Sequence, residues 1–169
     1  LVLKGTGNER DDIVLVPHPT EEVAALVSTR EGERNADGFL LSQLTLINLA
    51  DNSTEEIADS ERIQLIDWVG DRLVYVRIAA GASGNKPDRH RLISYDYKTF
   101  EYTEIAKSNY FNDVMIAGGK LFYAPSSAYQ KEDVALYRVD ANGQNRETIV
   151  EEETWHLIRT DYGTLPVSV

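Results

Sequence analysis

The sequence predicts an all-β chain, a β-propeller-like array of about three and a half four-stranded antiparallel blades. Three observations predict it. First, apolar anchors recur in one register. Val23, Leu73, Leu121 and Leu165 mark one strand type, Leu44, Leu92 and Leu136 a second, and Ile57, Ile105 and Ile149 a third. The third anchor always follows the second by 13 residues, and the next first anchor follows by 16, while the gap from first to second varies as 21, 19 and 15. Second, no stretch has a helical period; Ser53 to Ser60 comes nearest, and its register with the other copies makes it a strand. Third, turn-forming residues fall at matching places in the copies. A repeat of 50, 48 and 44 residues built from short strands is the signature of propeller blades or a related array.

Each copy resolves into four strands. The first strands start ten residues before the first anchors, at Ile13, Ile63, Phe111 and Trp155, and are expected over 13–17, 63–68, 112–117 and 155–160. Gly70-Asp71, Gly118-Gly119 and Tyr162-Gly163 then close hairpins, because glycine supplies the positive φ of a tight turn. The second strands, over 22–29, 72–79, 120–125 and 164–168, include the unbroken apolar runs Leu73-Val74-Tyr75-Val76 and Leu121-Phe122-Tyr123. Such runs mean burial on both faces, whereas a sheet with one wet face would alternate. A blade packed between two neighbours meets that requirement. The third strands, over 43–49, 91–97 and 134–140, run into turns such as Asp140-Ala141-Asn142-Gly143. The fourth, over 56–58, 102–106 and 146–150, are expected to be short and acidic. Glu55, Glu56, Asp59 and Glu61 cluster around one, and Glu147 with Glu151, Glu152 and Glu153 around another. They read as outer edges whose charge blocks edge-to-edge aggregation. Leu73, Tyr75, Leu92, Leu121, Tyr123 and Leu136 are the expected core.

The blades fall at about 13–60, 61–109 and 110–153, with a partial fourth over 154–169, in a single domain. A propeller ring usually needs 4–8 blades. The chain therefore reads as a fragment of a larger propeller; a small closed ring, or an oligomer that completes the sheet, is the alternative. Leu1-Val2-Leu3 could be the outer strand of a preceding or closing blade.

The pattern resembles the TolB-like, WD-related propeller repeat family over about residues 13–169. In that family a Ser-Pro-Asp-Gly-x-x-Ile-Ala hairpin precedes the second strand. His18-Pro19-Thr20-Glu21-Glu22-Val23-Ala24 resembles it with substitutions, and Val69-Gly70-Asp71-Arg72-Leu73 and Ala117-Gly118-Gly119-Lys120-Leu121 are shorter versions. Tyr95-Asp96 and Val139-Asp140 resemble the family's hydrophobic-Asp ending of the third strand. The Gly-His and Trp-Asp marks of true WD repeats are absent. The resemblance implies an extracytoplasmic bacterial setting, periplasm or cell surface, with a cytoplasmic one as the alternative.

Composition excludes some chemistry. The net charge of −11 repels a phosphate backbone, so nucleic acid is not an expected partner. No apolar run approaches the ~20 residues that span a bilayer. There is no cysteine, hence no disulfide, thiolate metal site or cysteine nucleophile. No Gly-x-Ser-x-Gly, His-Glu-x-x-His or Walker motif occurs. Gly5-Thr6-Gly7-Asn8-Glu9-Arg10 has two of three dinucleotide glycines and no following helix. The Asp140 segment lacks glycine at the sixth position of a calcium loop, where Asn145 stands, and reads as a hairpin turn. His18, His90 and His156 are scattered over different repeats and form no triad. No cofactor, metal or catalytic residue is expected.

Binding is the remaining class. The loop of changing length, at Arg30 to Leu41, Ala79 to Arg91 and Ala124 to Val134, falls on one propeller face together with the linkers between blades. Fixed blades with variable loops are how repeat arrays present a binding face. Arg89, His90 and Arg91 form a basic cluster there, and Tyr110 lies towards the same face; these are the expected contacts for a protein or polymer ligand. Gln64, Asn112 and His156 share a register near the channel mouth, where polar side chains hold water or a small ligand. The expected function is a non-catalytic interaction or scaffold domain. The alternative is the propeller domain of a larger hydrolase, a prolyl-oligopeptidase-like peptidase whose catalytic domain is outside this chain.

Overall fold

Strands form wherever the apolar runs predict them, and no helix interrupts them among the described residues. The computed structural model describes residues 10–82, 84–129, 134–160 and 163–167. The expected Leu1-Val2-Leu3 strand, the glycines at 5 and 7, Tyr162, residues 130–133 of the third variable loop and the last two residues lie outside them. The first sheet holds β1 (Asp12–Pro17), β2 (Val23–Ser28), β3 (Ser42–Asn48) and β4 (Thr54–Ser60). The second holds β5 (Ile63–Val69), β6 (Arg72–Ile78), β7 (His90–Asp96) and β8 (Glu101–Ser108). The third holds β9 (Phe111–Ala117), β10 (Lys120–Pro125), β11 (Leu136–Val139) and β12 (Glu147–Val150). β13 (His156–Thr160) and β14 (Gly163–Val167) pair as a two-stranded sheet. Every pairing is antiparallel between sequence neighbours, so each sheet is a simple meander, the blade of a propeller.

The blades stack through their faces. Val23, Ala25, Val27, Leu44 and Leu46 of blade 1 meet Ile63, Trp68, Leu73, Tyr75, Ile93 and Tyr95 of blade 2 in one core. Val74, Val76 and Leu92, on the other face of blade 2, meet Phe111, Leu121, Tyr123, Tyr137 and Val139 of blade 3 in the next. Ala124 and Leu136 then pack with Leu157 of the fourth sheet. All six expected core residues are buried. Alternation along a strand now explains the unbroken apolar runs: odd and even residues feed two different cores.

One anchor is off by a residue. Leu73 and Leu121 pair with Tyr95 and Val139, three residues beyond their blades' second anchors, whereas Val23 pairs with Asn48, four beyond Leu44. Val23 accordingly faces forward to blade 2, while Leu73 and Leu121 face back to the preceding blade. The true counterpart of Leu73 in blade 1 is Ala24, opposite Ile47. The His18–Glu22 hairpin is longer than the two-residue turns of the other blades and absorbs the shift.

The outer strands β4 and β8 are longer than expected, at seven and eight residues. They run on to Ser60 and Ser108, both buried; the Ser60 hydroxyl donates to Ile78 O (2.9 Å) and accepts from Ile78 N (3.1 Å), tying the end of β4 to blade 2. The Asp140 turn is a hairpin turn, closed by Gly143 N donating to Asp140 O (2.8 Å), with Gly143 at φ 83°.

Candidate functional site

The long loops and the inter-blade linkers emerge at the same end of the sheets, and the linkers hold the loops. Glu61, Asn109 and Glu153 stand at one register position, 48 and 44 residues apart like the blades themselves. Each follows an outer strand and braces the long loop of its own blade. Glu61 Oε1 accepts from Asn35 Nδ2 (2.8 Å) in the first loop. Asn109 Nδ2 donates to Gly84 O (2.8 Å) and Lys86 O (2.7 Å) in the second. Glu153 Oε1 accepts from Ser127 N (2.9 Å) in the third and from Asn112 Nδ2 (3.2 Å). The Ser127 N–H, then its hydroxyl and Asn112, hold the Glu153 carboxyl below its ordinary pKa, so it stays ionised as an acceptor. Sequence reading missed these three residues, although the repeat spacing marks them.

The first loop has two further constraints. Arg10 Nη1 donates to Arg30 O (3.0 Å) and Gly32 O (2.9 Å). At Gly32 a Cβ would lie 2.0 Å from Leu41 O, so the loop can close there only on glycine.

The basic cluster does not act as one patch. His90 is buried, correcting its expected place as a surface contact. Its Nδ1–H donates to Asn109 O, and its ring meets Tyr110 edge-on at 5.6 Å. Burial, partly offset by the Asn109 bond, pushes its pKa down, and the charges of Arg89 and Arg62 push the same way. The ring is therefore a neutral strut between strand and linker. Arg91 points to the flank, where Asp88 (3.0 Å) and Glu104 (3.0 Å) neutralise it. Arg89 is half-buried, and its backbone closes the loop neck through Ala79 N to Arg89 O (2.8 Å). β-Strand alternation sends the His90 and Arg91 side chains to opposite sides of β7.

Of the channel-mouth residues, Asn112 is drawn into the brace through Glu153 and Thr154 O (3.2 Å). Gln64 lines a dimple of ≈ 10 Å³ with Arg62, His90 and Tyr110, while His156 is exposed and does not line it. No group of three side chains suited to a metal occurs among the described residues. Among the charged and polar residues that the braced loops and linkers expose stand four aromatics: Phe39 (63% exposed), Tyr110 (49%), Tyr129 (66%) and Trp155 (45%).

No protein-family model matches the chain, and no curated protein matches it. Solved structures do. The β-propeller domain of the Trilobed protease from Pyrococcus furiosus superimposes with a TM-score of 0.57 at 14% identity, over 82% of this chain and 41% of that one. Pyrococcus horikoshii acylaminoacyl peptidase does so with a TM-score of 0.55 at 12% identity, over 81% of this chain and 24% of that one. An acylaminoacyl peptidase in complex with Z-Gly-Gly-Phe-chloromethyl ketone gives 0.56 at 13% identity, over 83% and 24%. The chain thus spans less than half the length of each. At these identities the likeness establishes the fold: this is part of a β-propeller.

Proposed function

We propose that this chain is a non-catalytic part of a larger propeller, TolB-like in its blade pattern, that binds a protein or polymer partner through its loop face. The observation that carries the reading is the triple brace. Glu61, Asn109 and Glu153 pre-order three loops on a face that exposes Phe39, Tyr110, Tyr129 and Trp155. Pre-ordered loops lose less entropy on binding, and exposed aromatics are the usual anchors of an interface. An extracytoplasmic bacterial setting goes with this reading.

The structural neighbours favour a second reading, in which the partner is the catalytic domain of a hydrolase in the same polypeptide, since two of them are named as peptidases. The full reading frame separates the two: a nucleophile-elbow segment downstream supports the hydrolase, an upstream membrane anchor the scaffold. The face itself is tested by Phe39→Ser/Trp155→Ser. The double variant should lose the native partner at an unchanged melting temperature. If it keeps the partner, and changes at 70–71 or 141–143 abolish binding in a folded protein, the binding face is the opposite one.

A further inference from the structure

Two grooves lie between blades at equivalent places in the repeat, and they differ in chemistry. The groove between blades 1 and 2 has a volume of ≈ 480 Å³ and is lined by Asp59, Tyr75, Arg77, Ile93 and Tyr102. The groove between blades 2 and 3 has a volume of ≈ 650 Å³; Lys107, Tyr123, Pro125, Tyr137 and Arg146 stand at the five corresponding positions. In the first, the Tyr102 ring packs against Tyr95 at 4.5 Å and its hydroxyl donates to Ile57 O (2.6 Å), so one blade closes on the next. In the second, that position is Arg146, whose guanidinium sits 5.0 Å from the centre of the Tyr137 ring, and Tyr137 stacks on Tyr123 at 5.2 Å.

The charge differs too. Lys107 replaces Asp59, and Lys86 adds a third cation from the second variable loop. The two carboxylates of the lining, Asp88 and Glu104, are both held by Arg91. A basic, tyrosine-floored groove in a chain of net charge −11 is not a demand of the fold, because the first groove packs its blades with an acid and a tyrosine at the same positions.

We propose that the groove between blades 2 and 3 binds an acidic peptide segment of a partner protein, laid along β8. Among the described residues β8 pairs only with β7, so its outer N–H and C=O groups form an open edge, and Glu104 to Lys107 of that strand line the groove. A peptide main chain matches such an edge, and every second side chain then turns inwards, carboxylates towards Lys107 and Arg146, apolar groups onto the tyrosine floor. A small anion would leave most of the ≈ 650 Å³ unfilled, and the overall charge opposes nucleic acid. The proposal rests on the chain being a partner-binding module and narrows that reading to one flank of the loop face.

The test is fluorescence anisotropy of the full chain with a fluorescein-labelled peptide of Glu-Ser-Val-Ser repeats, whose inward positions carry glutamate and valine in turn. Saturable binding is expected, weakening as salt rises from about 50 to about 300 mM. Lys107→Asp/Arg146→Tyr, which installs the first groove's residues, should weaken it roughly tenfold or more. Should that variant melt early, Lys86→Glu in the exposed loop should still weaken binding severalfold. Phe39→Ser/Trp155→Ser should leave it unchanged. The proposal is overturned by no saturable binding, by equal binding of a lysine–valine peptide, or by a folded groove variant that binds like the parent. Binding of heparin through these residues without binding of the peptide overturns it as well. If the groove fails while Phe39→Ser/Trp155→Ser still loses the native partner, the loop-face reading stands and the groove alone is lost.

Discussion

The two ends of the blades are held by different means. At the hairpin end, connections are short and backbone geometry sets them: Gly118 and Gly119 take φ 56° and 71°, and Gly70 takes φ 56°. The exception is the longer His18 hairpin, which is built around a ring. His18 Nδ1 accepts from Thr20 N (3.2 Å) and Glu21 N (3.0 Å), and Nε2–H donates to Gly70 O (2.9 Å) of the next blade. Trp68 and Tyr97 flank it edge-on at 4.9 and 5.8 Å. At the loop end, connections vary in length, and side chains from the linkers fix them. A turn of two residues has few conformations to choose from, whereas a loop of a dozen needs an external partner for its backbone groups. Extra length there adds only about 0.6 kcal/mol of closure entropy per doubling, so the loops at the braced end can change length at little cost.

The comparison can be sharpened by three perturbations of decreasing size. Leu73→Ala removes core shared by both ends and should cost about 2–5 kcal/mol in a denaturant melt. A variant as stable as the parent would mean that Leu73 does not join blades 1 and 2. His18→Ala strikes the hairpin end alone. It leaves two loop N–H groups and Gly70 O without their ring partner, for a loss of about 2–3 kcal/mol. Hydrogen exchange should rise at residues 20–21 and not at 84–86; faster exchange at both would show that the ends are not independent. The smallest effect is read from pH at the loop end. The folded pKa of His90 lies below its unfolded value of about 6.5, so the unfolded chain binds the proton first. Its contribution is complete above that value and is lost as pH falls from there towards the folded pKa. Glu153, also depressed, contributes fully above the ordinary carboxylate range and loses that contribution only as pH falls through and below it. His90→Gln should flatten the stability profile just below about pH 6.5 and leave the acid limb unchanged. An unaltered profile would mean that His90 is not held neutral between strand and linker.

The strands were legible in the sequence because burial on both faces writes unbroken apolar runs, and because the linkers keep constant length. The limits of legibility are equally specific. Val23 looked like the partner of Leu73, yet Ala24 holds that place. Arg89, His90 and Arg91 looked like one basic patch, yet one is a buried strut and another is paired on the flank. Glu61, Asn109 and Glu153 were visible at a single spacing, but two residue types at one position do not look alike until their shared task is seen.

The sequence by itself determined how many strands form, their order, the blade period and which loops vary, since each follows from local patterns and chain length. Only the tertiary structure decided which way a residue faces and what it holds. Side chains alternate along a strand, so a shift of a single residue exchanges one core for the other or the interior for the solvent. That choice is made by packing against the next blade, about fifty residues away in the chain, and no local pattern records it.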